Sequence, residues 1–224
     1  MESAYRNLGY VLLVLLPIFV AGFWIPYFSQ IPHFDASITT AVHVHAVLLF
    51  SFLLLLVVQP LAIRQKAFST HRILGKISNV LIPFILIFSV AMLFKEYQEH
   101  LSDGATANFA RNAEFLSFIQ LLLFGTLYGL SIASIRRRDV ATHMRYMICI
   151  ALVLLPAGLA RTMGYWFRIR QSPSQTACLI LIDALLLGLI AFDRSRQLKA
   201  RPYSAVLLTY VVIEAFWFAL GRPI

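Results

Sequence analysis

Long apolar runs alternate with short polar segments along the whole chain. A helix that crosses a bilayer needs about 20 mainly apolar residues. Stretches of that kind lie at roughly residues 8–28, 38–62, 74–94, 113–135, 143–167, 176–193 and 203–220. The last two are short, and each carries an acid, Asp183 and Glu214. The first is too long and too aromatic at its end for a signal peptide, and it has no clear small-x-small cleavage site, so it is read as a helix. The expected fold is all-α: a polytopic transmembrane bundle of about seven helices, with residues 1–224 as a single domain.

Composition agrees. Of the 224 residues, 60% are hydrophobic and 13% charged, and the mean hydropathy is +0.78. A soluble domain carries about a quarter charged residues, so this much apolar surface cannot all face water. The formal net charge of +9 raises nucleic acid as a partner. The placement of Lys and Arg between apolar runs argues against it: there they act as topology signals and meet anionic lipids. The expected partners are the bilayer and anionic lipids at the cytoplasmic face, with no nucleic acid. Cys149 and Cys178 fall toward opposite faces in this topology, so no disulfide is expected between them, and there is no C-x-x-C.

The basic residues also set an orientation. The loops at 63–73, 136–145 and 194–201, with Arg6 and Lys76, collect thirteen of the 19 Lys and Arg. The opposite side has Lys95, Arg111, Arg161, Arg168, Arg170 and Arg222. The positive-inside rule then places the N-terminus in the cytoplasm and the C-terminus outside, in what is expected to be a bacterial inner membrane. A longer outer loop near 95–112 holds Glu96, Glu99 and Asp103.

Two of the inner loops are near copies. Residues 63–71 read IRQKAFSTH and residues 135–143 read IRRRDVATH, 72 positions apart. Each joins an inward-running span to an outward-running one. Spans two–three and four–five therefore read as two copies of one hairpin, related by an axis along the membrane normal. The competing account is that any basic turn followed by a capped helix has this appearance. Thr70 and Thr142 are the expected N-caps. His71 and His143 then fall in the first helical turn at equal depth, where a neutral imidazole is favoured by the helix dipole.

Polar residues within a bilayer are costly, which makes them candidates for function. At about 1.5 Å per residue, His45, Gln120, Arg161, Asp183 and Glu214 all come out roughly 10 Å below the outer surface, from five different spans. Together they form a candidate outer polar site, with Glu114, Ser117 and Tyr165 at its mouth. His43 lies about 200° around the helix from His45, so one of the two can face the site. The structural alternative is that Arg161 pairs with Asp183 or Glu214 and locks helices together.

No H-E-x-x-H, G-x-S-x-G, Walker or G-x-G-x-x-G motif is present, so zinc protease, serine hydrolase and nucleotide readings lack support. The leading expectation is an intramembrane redox or cofactor-binding protein holding a b-type haem or a quinone. Haem iron takes axial His. His71 and His143 meet the equal-depth requirement at the inner face, with Arg72 and Arg145 as candidates to hold propionates. At the outer layer only span two offers histidines, and His33 or His100 would have to reach in from loops. The alternatives are a small-molecule or proton-coupled transporter using His45, Asp183 and Glu214 with Arg161 as an anion clamp, and a purely structural or assembly role. Intramembrane metal hydrolysis on His45, Asp183 and Glu214 is weaker, because metal sites show tighter His spacing.

The segments QPLAIRQKAFSTHRILGK (59–76), HVHAVL (43–48) and RRRDVATHMRYMICIALVLLPAGLAR (136–161) together resemble an uncharacterised bacterial family of polytopic membrane proteins. The residues that carry the resemblance are His43 or His45, Gln59, Arg64, His71, Arg72, Gly75, Asp139, His143, Met147, Ile148 and Arg161, within roughly residues 43–165. The chain departs from that pattern at Tyr146, where the family has a Trp, and in writing Met144-Arg145 directly after His143. The resemblance implies the topology and groups His71, His143 and Arg161; it implies no activity.

Overall fold

The computed structural model describes residues 2–35, 38–102 and 107–219, and of 107–113 the backbone alone. Asp103 and Arg222, placed above in outer segments, lie outside the described residues, as does the Arg111 side chain. Every long element described is a helix: α1 Leu8–Leu12, α2 Leu15–Trp24, α3 Thr40–Arg64, α4 Phe68–Ser102, α5 Ala107–Arg136, α6 Val140–Phe167, α7 Gln171–Ser195 and α8 Arg201–Ala219. Counting Ser3–Trp24 as one, seven helices are long and apolar enough to cross a membrane.

Helices α4 to α7 outrun the apolar stretches that predicted them. The largest difference is α4, which continues through the polar segment 95–102 assigned above to a loop. Nothing in Lys95-Glu96-Tyr97-Gln98-Glu99-His100 breaks a helix, and Lys95 pairs with Glu99 one turn on, at 3.3 Å. Hydropathy marks where a helix leaves the apolar zone, which need not be where the helix stops.

The chain divides into two compact units, Met1–Met92 and Leu93–Ile224. In the first, α1 packs on α3. Gly9 permits the approach: a Cβ there would sit 2.6 Å from Leu61 Cγ and 3.2 Å from the Leu61 backbone nitrogen. Arg64, at the end of α3, donates to Asn7 Oδ1 and holds its guanidinium 4.9 Å over the Tyr10 ring. In the second unit α6 packs on α5, α7 and α8, and Cys149 and Ile150 on α6 are wholly enclosed. Cys149 and Cys178 are both free and buried.

The two basic turns have one geometry. α3 ends at Arg64 and α4 starts at Phe68; α5 ends at Arg136 and α6 starts at Val140. In the first turn the Lys66 N–H donates to the Ile63 carbonyl at 3.0 Å and the Ala67 N–H to Ala62 at 2.8 Å. In the second, Arg138 donates to Ile135 and Asp139 to Ser134, both at 2.9 Å. Lys66 and Arg138 take the left-handed conformation, with φ of 61° and 60°. This is a Schellman closure, which satisfies carbonyls at a helix C-terminus and usually uses Gly at the left-handed position. Each bond matches its counterpart at the 72-residue offset of the sequence repeat. Beyond the turns the likeness ends: α5 runs along α6, whereas α3 has α1 as its main helix partner.

Thr70 and Thr142 are not the caps. Each is the third residue of its helix, because the helices begin three residues earlier than caps at the threonines would require. Asp139 caps α6: its carboxylate accepts from the Thr142 N–H at 3.0 Å and from the Thr142 hydroxyl at 2.9 Å. Those two bonds, and then Lys199 at 3.5 Å, hold the Asp139 carboxyl below the usual aspartate range. Ala67 occupies the matching place before α4 and has no side chain to cap with.

Candidate functional site

The repeated histidines are placed first, because their turns fix them. His143 is in the first turn of α6, and its Nδ1 lies 2.7 Å from Ser131 Oγ and 3.2 Å from the Ser131 carbonyl oxygen on α5. His71, in the first turn of α4, lies by the backbone of Gln59 on α3, and its Nδ1 is buried with no hydrogen-bond partner among the described residues. Gln59 and Ser131 each precede their histidine by twelve residues and so are themselves related by the repeat. His143 thus fastens its hairpin to the preceding helix, and His71 stands at the equivalent place beside Gln59. The basic residues beside them diverge. Arg72 shares an open groove with Ser69, Ile73 and Lys76. Arg145, counted above among inner-face charges and offered to a propionate, is fully buried, with Nε 2.6 Å from Asp193 Oδ2 on α7. A second Arg145 nitrogen donates to the Ala141 carbonyl at 3.0 Å.

The outer polar residues are distributed as follows. His43 and His45 belong to the first unit, where His43 Nδ1 meets the Tyr27 hydroxyl at 2.9 Å and its ring abuts Phe34. His45 is half-buried. In the second unit, Gln120 keeps a buried amide nitrogen with no partner among the described residues. Arg161 does not take Asp183 or Glu214 as its ion pair. It reaches Glu96 at 3.8 Å and donates to the Ala157 carbonyl at 2.9 Å. Asp183 and Glu214 instead hydrogen-bond one another.

Around Arg161 the structure assembles a group that sequence reasoning had scattered. Glu96 and His100, one turn apart on α4, face Glu114 on α5. Glu114 hydrogen-bonds Glu96, and one of its carboxylate oxygens lies 3.3 Å from His100 Nε2. Arg161 on α6 completes a chain that runs Arg161, Glu96, Glu114, His100. Two carboxyl groups in such contact repel one another when both are charged, so the arrangement favours a proton between them. The Arg161 charge balances the remaining carboxylate. Glu96 and His100 are 46% and 34% exposed against 13% for Glu114, so a proton on Glu114 has two neighbours that reach water. Glu114 had been placed at the mouth of the outer site. By hydropathy Glu96 and His100 fall in a loop; helical spacing continued past the apolar zone puts them on one face.

Two other residues carry weight that the sequence did not signal. Asp193, a single acid in a basic run, is the partner of Arg145. Tyr210, an aromatic in an apolar span, lies beside Asp183 and Glu214. Among the described residues no three His, Cys, Asp or Glu side chains gather as a metal site requires. Compared with protein-family models, with curated proteins and with solved structures, the chain finds no match.

Proposed function

We propose that this integral membrane protein binds and passes protons, as the proton-coupled transporters do, with Glu114 as the central carrier. The observation that carries the reading is the hydrogen bond between Glu96 and Glu114, flanked by Arg161 on one side and His100 on the other. Arg161 stabilises the pair with one proton missing. His100 delivers or removes the second proton at the water-facing end. With the basic turns in the cytoplasm, the Glu96–Glu114 end opens on the opposite face of a bacterial inner membrane.

The b-type haem or quinone reading has less support. Of its strongest residues, His143 is already engaged by Ser131, and Arg145 is consumed by Asp193. A propionate would have to displace a fully buried carboxylate. The experiment for the proton reading is flux: vesicles containing the protein and an internal pH dye, challenged with an acid jump. Glu114→Gln should abolish protein-dependent acidification, and Arg136→Gln should leave it intact. Equal flux in Glu114→Gln and the unchanged protein would end the reading.

A further inference from the structure

We propose that Asp183, Glu214 and Tyr210 form a second site that holds either protons or a hard monovalent cation of sodium's kind, one in exchange for the other. The inference deepens the proton-binding reading and rests on it. Asp183 is on α7; Tyr210 and Glu214 are one turn apart on the α8 that packs beside it. The two carboxyl groups are in hydrogen-bonding contact. Tyr210 is 1% exposed and lies within electrostatic reach of both. Its hydroxyl, Asp183 Oδ1 and Glu214 Oε1 are all shielded, and none has a hydrogen-bond partner among the described residues. The other titratable group beside Tyr210 is the Cys149 thiol on α6.

Three buried oxygens with no hydrogen-bond partner, the Tyr210 hydroxyl donor among them unused, are unfavourable in an apolar surrounding. Protons on the carboxyls relieve part of this, and so does a cation. Carboxylate and hydroxyl oxygens are hard donors and suit hard cations. Charge selects the valence. Two neutral carboxylic acids carry no net charge; releasing one proton and taking up one sodium ion leaves the site neutral again. The exchange is balanced: the O–H bond of one carboxyl breaks, its proton leaves to water, and the sodium ion takes its place. A divalent ion would require both protons to leave. The Glu96–Glu114 pair differs in having Arg161 beside it, which already supplies the positive charge.

The test uses the detergent-purified full chain in weakly buffered solution with a pH indicator, titrated with sodium chloride and, as a control, choline chloride. Sodium should release a proton from the protein and choline should not. Asp183→Asn and Glu214→Gln should abolish the release, and Tyr210→Phe should weaken the apparent sodium affinity roughly tenfold. Arg136→Gln should leave it unchanged. Elution of each variant as a monodisperse peak separates loss of the site from loss of the fold. No release from the unchanged protein, release from Asp183→Asn and Glu214→Gln equal to that of the unchanged protein, or release by calcium in place of sodium would overturn the proposal. If sodium releases nothing while Glu114-dependent flux persists, only this site is lost; if Glu114→Gln keeps its flux, it is the proton reading that fails.

Discussion

Arg145 Nε lies 2.6 Å from Asp193 Oδ2 with neither side chain exposed, and the contact ties α6 to α7. Breaking such a pair from one side leaves an uncompensated buried charge, at a cost of about 3–5 kcal/mol. Arg145→Ala or Asp193→Ala should each lower unfolding stability in detergent by about that much. The double replacement Arg145→Met with Asp193→Leu should cost clearly less than the two single losses added, because no charge is left behind. Additive losses would show that the two groups do not depend on each other.

The paired histidines give a second expectation. His71→Ala and His143→Ala should each loosen one hairpin, the second by about 1 kcal/mol, the usual net contribution of a hydrogen bond. Hydrogen exchange should speed up in the turn after α3 for the first and in the turn after α5 for the second. Exchange confined to one turn in both variants would contradict the equivalence of the two hairpins.

Gly9 is where α1 touches α3. Gly9→Ala places a methyl 2.6 Å from Leu61 Cγ, an overpacking that should cost about 1–3 kcal/mol. Adding Leu61→Ala should restore part of it. A thermal unfolding scan checks both, and an unchanged Gly9→Ala would mean that α1 stands off from α3.

The Asp139 cap sets a pH expectation. Thr142, chiefly, and Lys199 lower the carboxyl's pKa in the folded protein. A lowered pKa means that the stabilisation is complete above the ordinary aspartate value, about 3.9, and is lost as pH falls through the folded value below it. The melting temperature of the unchanged protein should therefore fall more steeply below that pH than that of Asp139→Ser, which keeps a cap without an ionising group. Parallel acid profiles would remove Asp139 from the account.

Much of this was legible in the sequence, for identifiable reasons. Spans follow from apolar length, and the two turns announce themselves because Ile63-Arg64 and Ile135-Arg136 stand at matched helix ends. The repeat pointed to His71 and His143 as a pair, and the placement of Gln59 and Ser131 gives the pair a meaning that only three dimensions supply. The outer group was half visible. Arg161 and Glu114 stood out as polar residues in spans, but Glu96 and His100 looked like loop because hydropathy ends before the helix does. The pairing of Asp183 with Glu214, and of Arg161 with neither, depends on which faces α6, α7 and α8 turn to one another. Two acids and one arginine at similar depth do not determine that.

The central claim is that Glu96 and Glu114 share a proton. Infrared spectroscopy of the protein in lipid, titrated through the neutral range, reads it most directly through the carbonyl stretch of protonated carboxyl groups. The difference between the unchanged protein and Glu114→Gln should contain a carboxyl band that fades as pH rises, shifts in deuterium oxide, and is likewise lost in Glu96→Gln. A difference spectrum with no protonated carboxyl band at any pH would contradict the account.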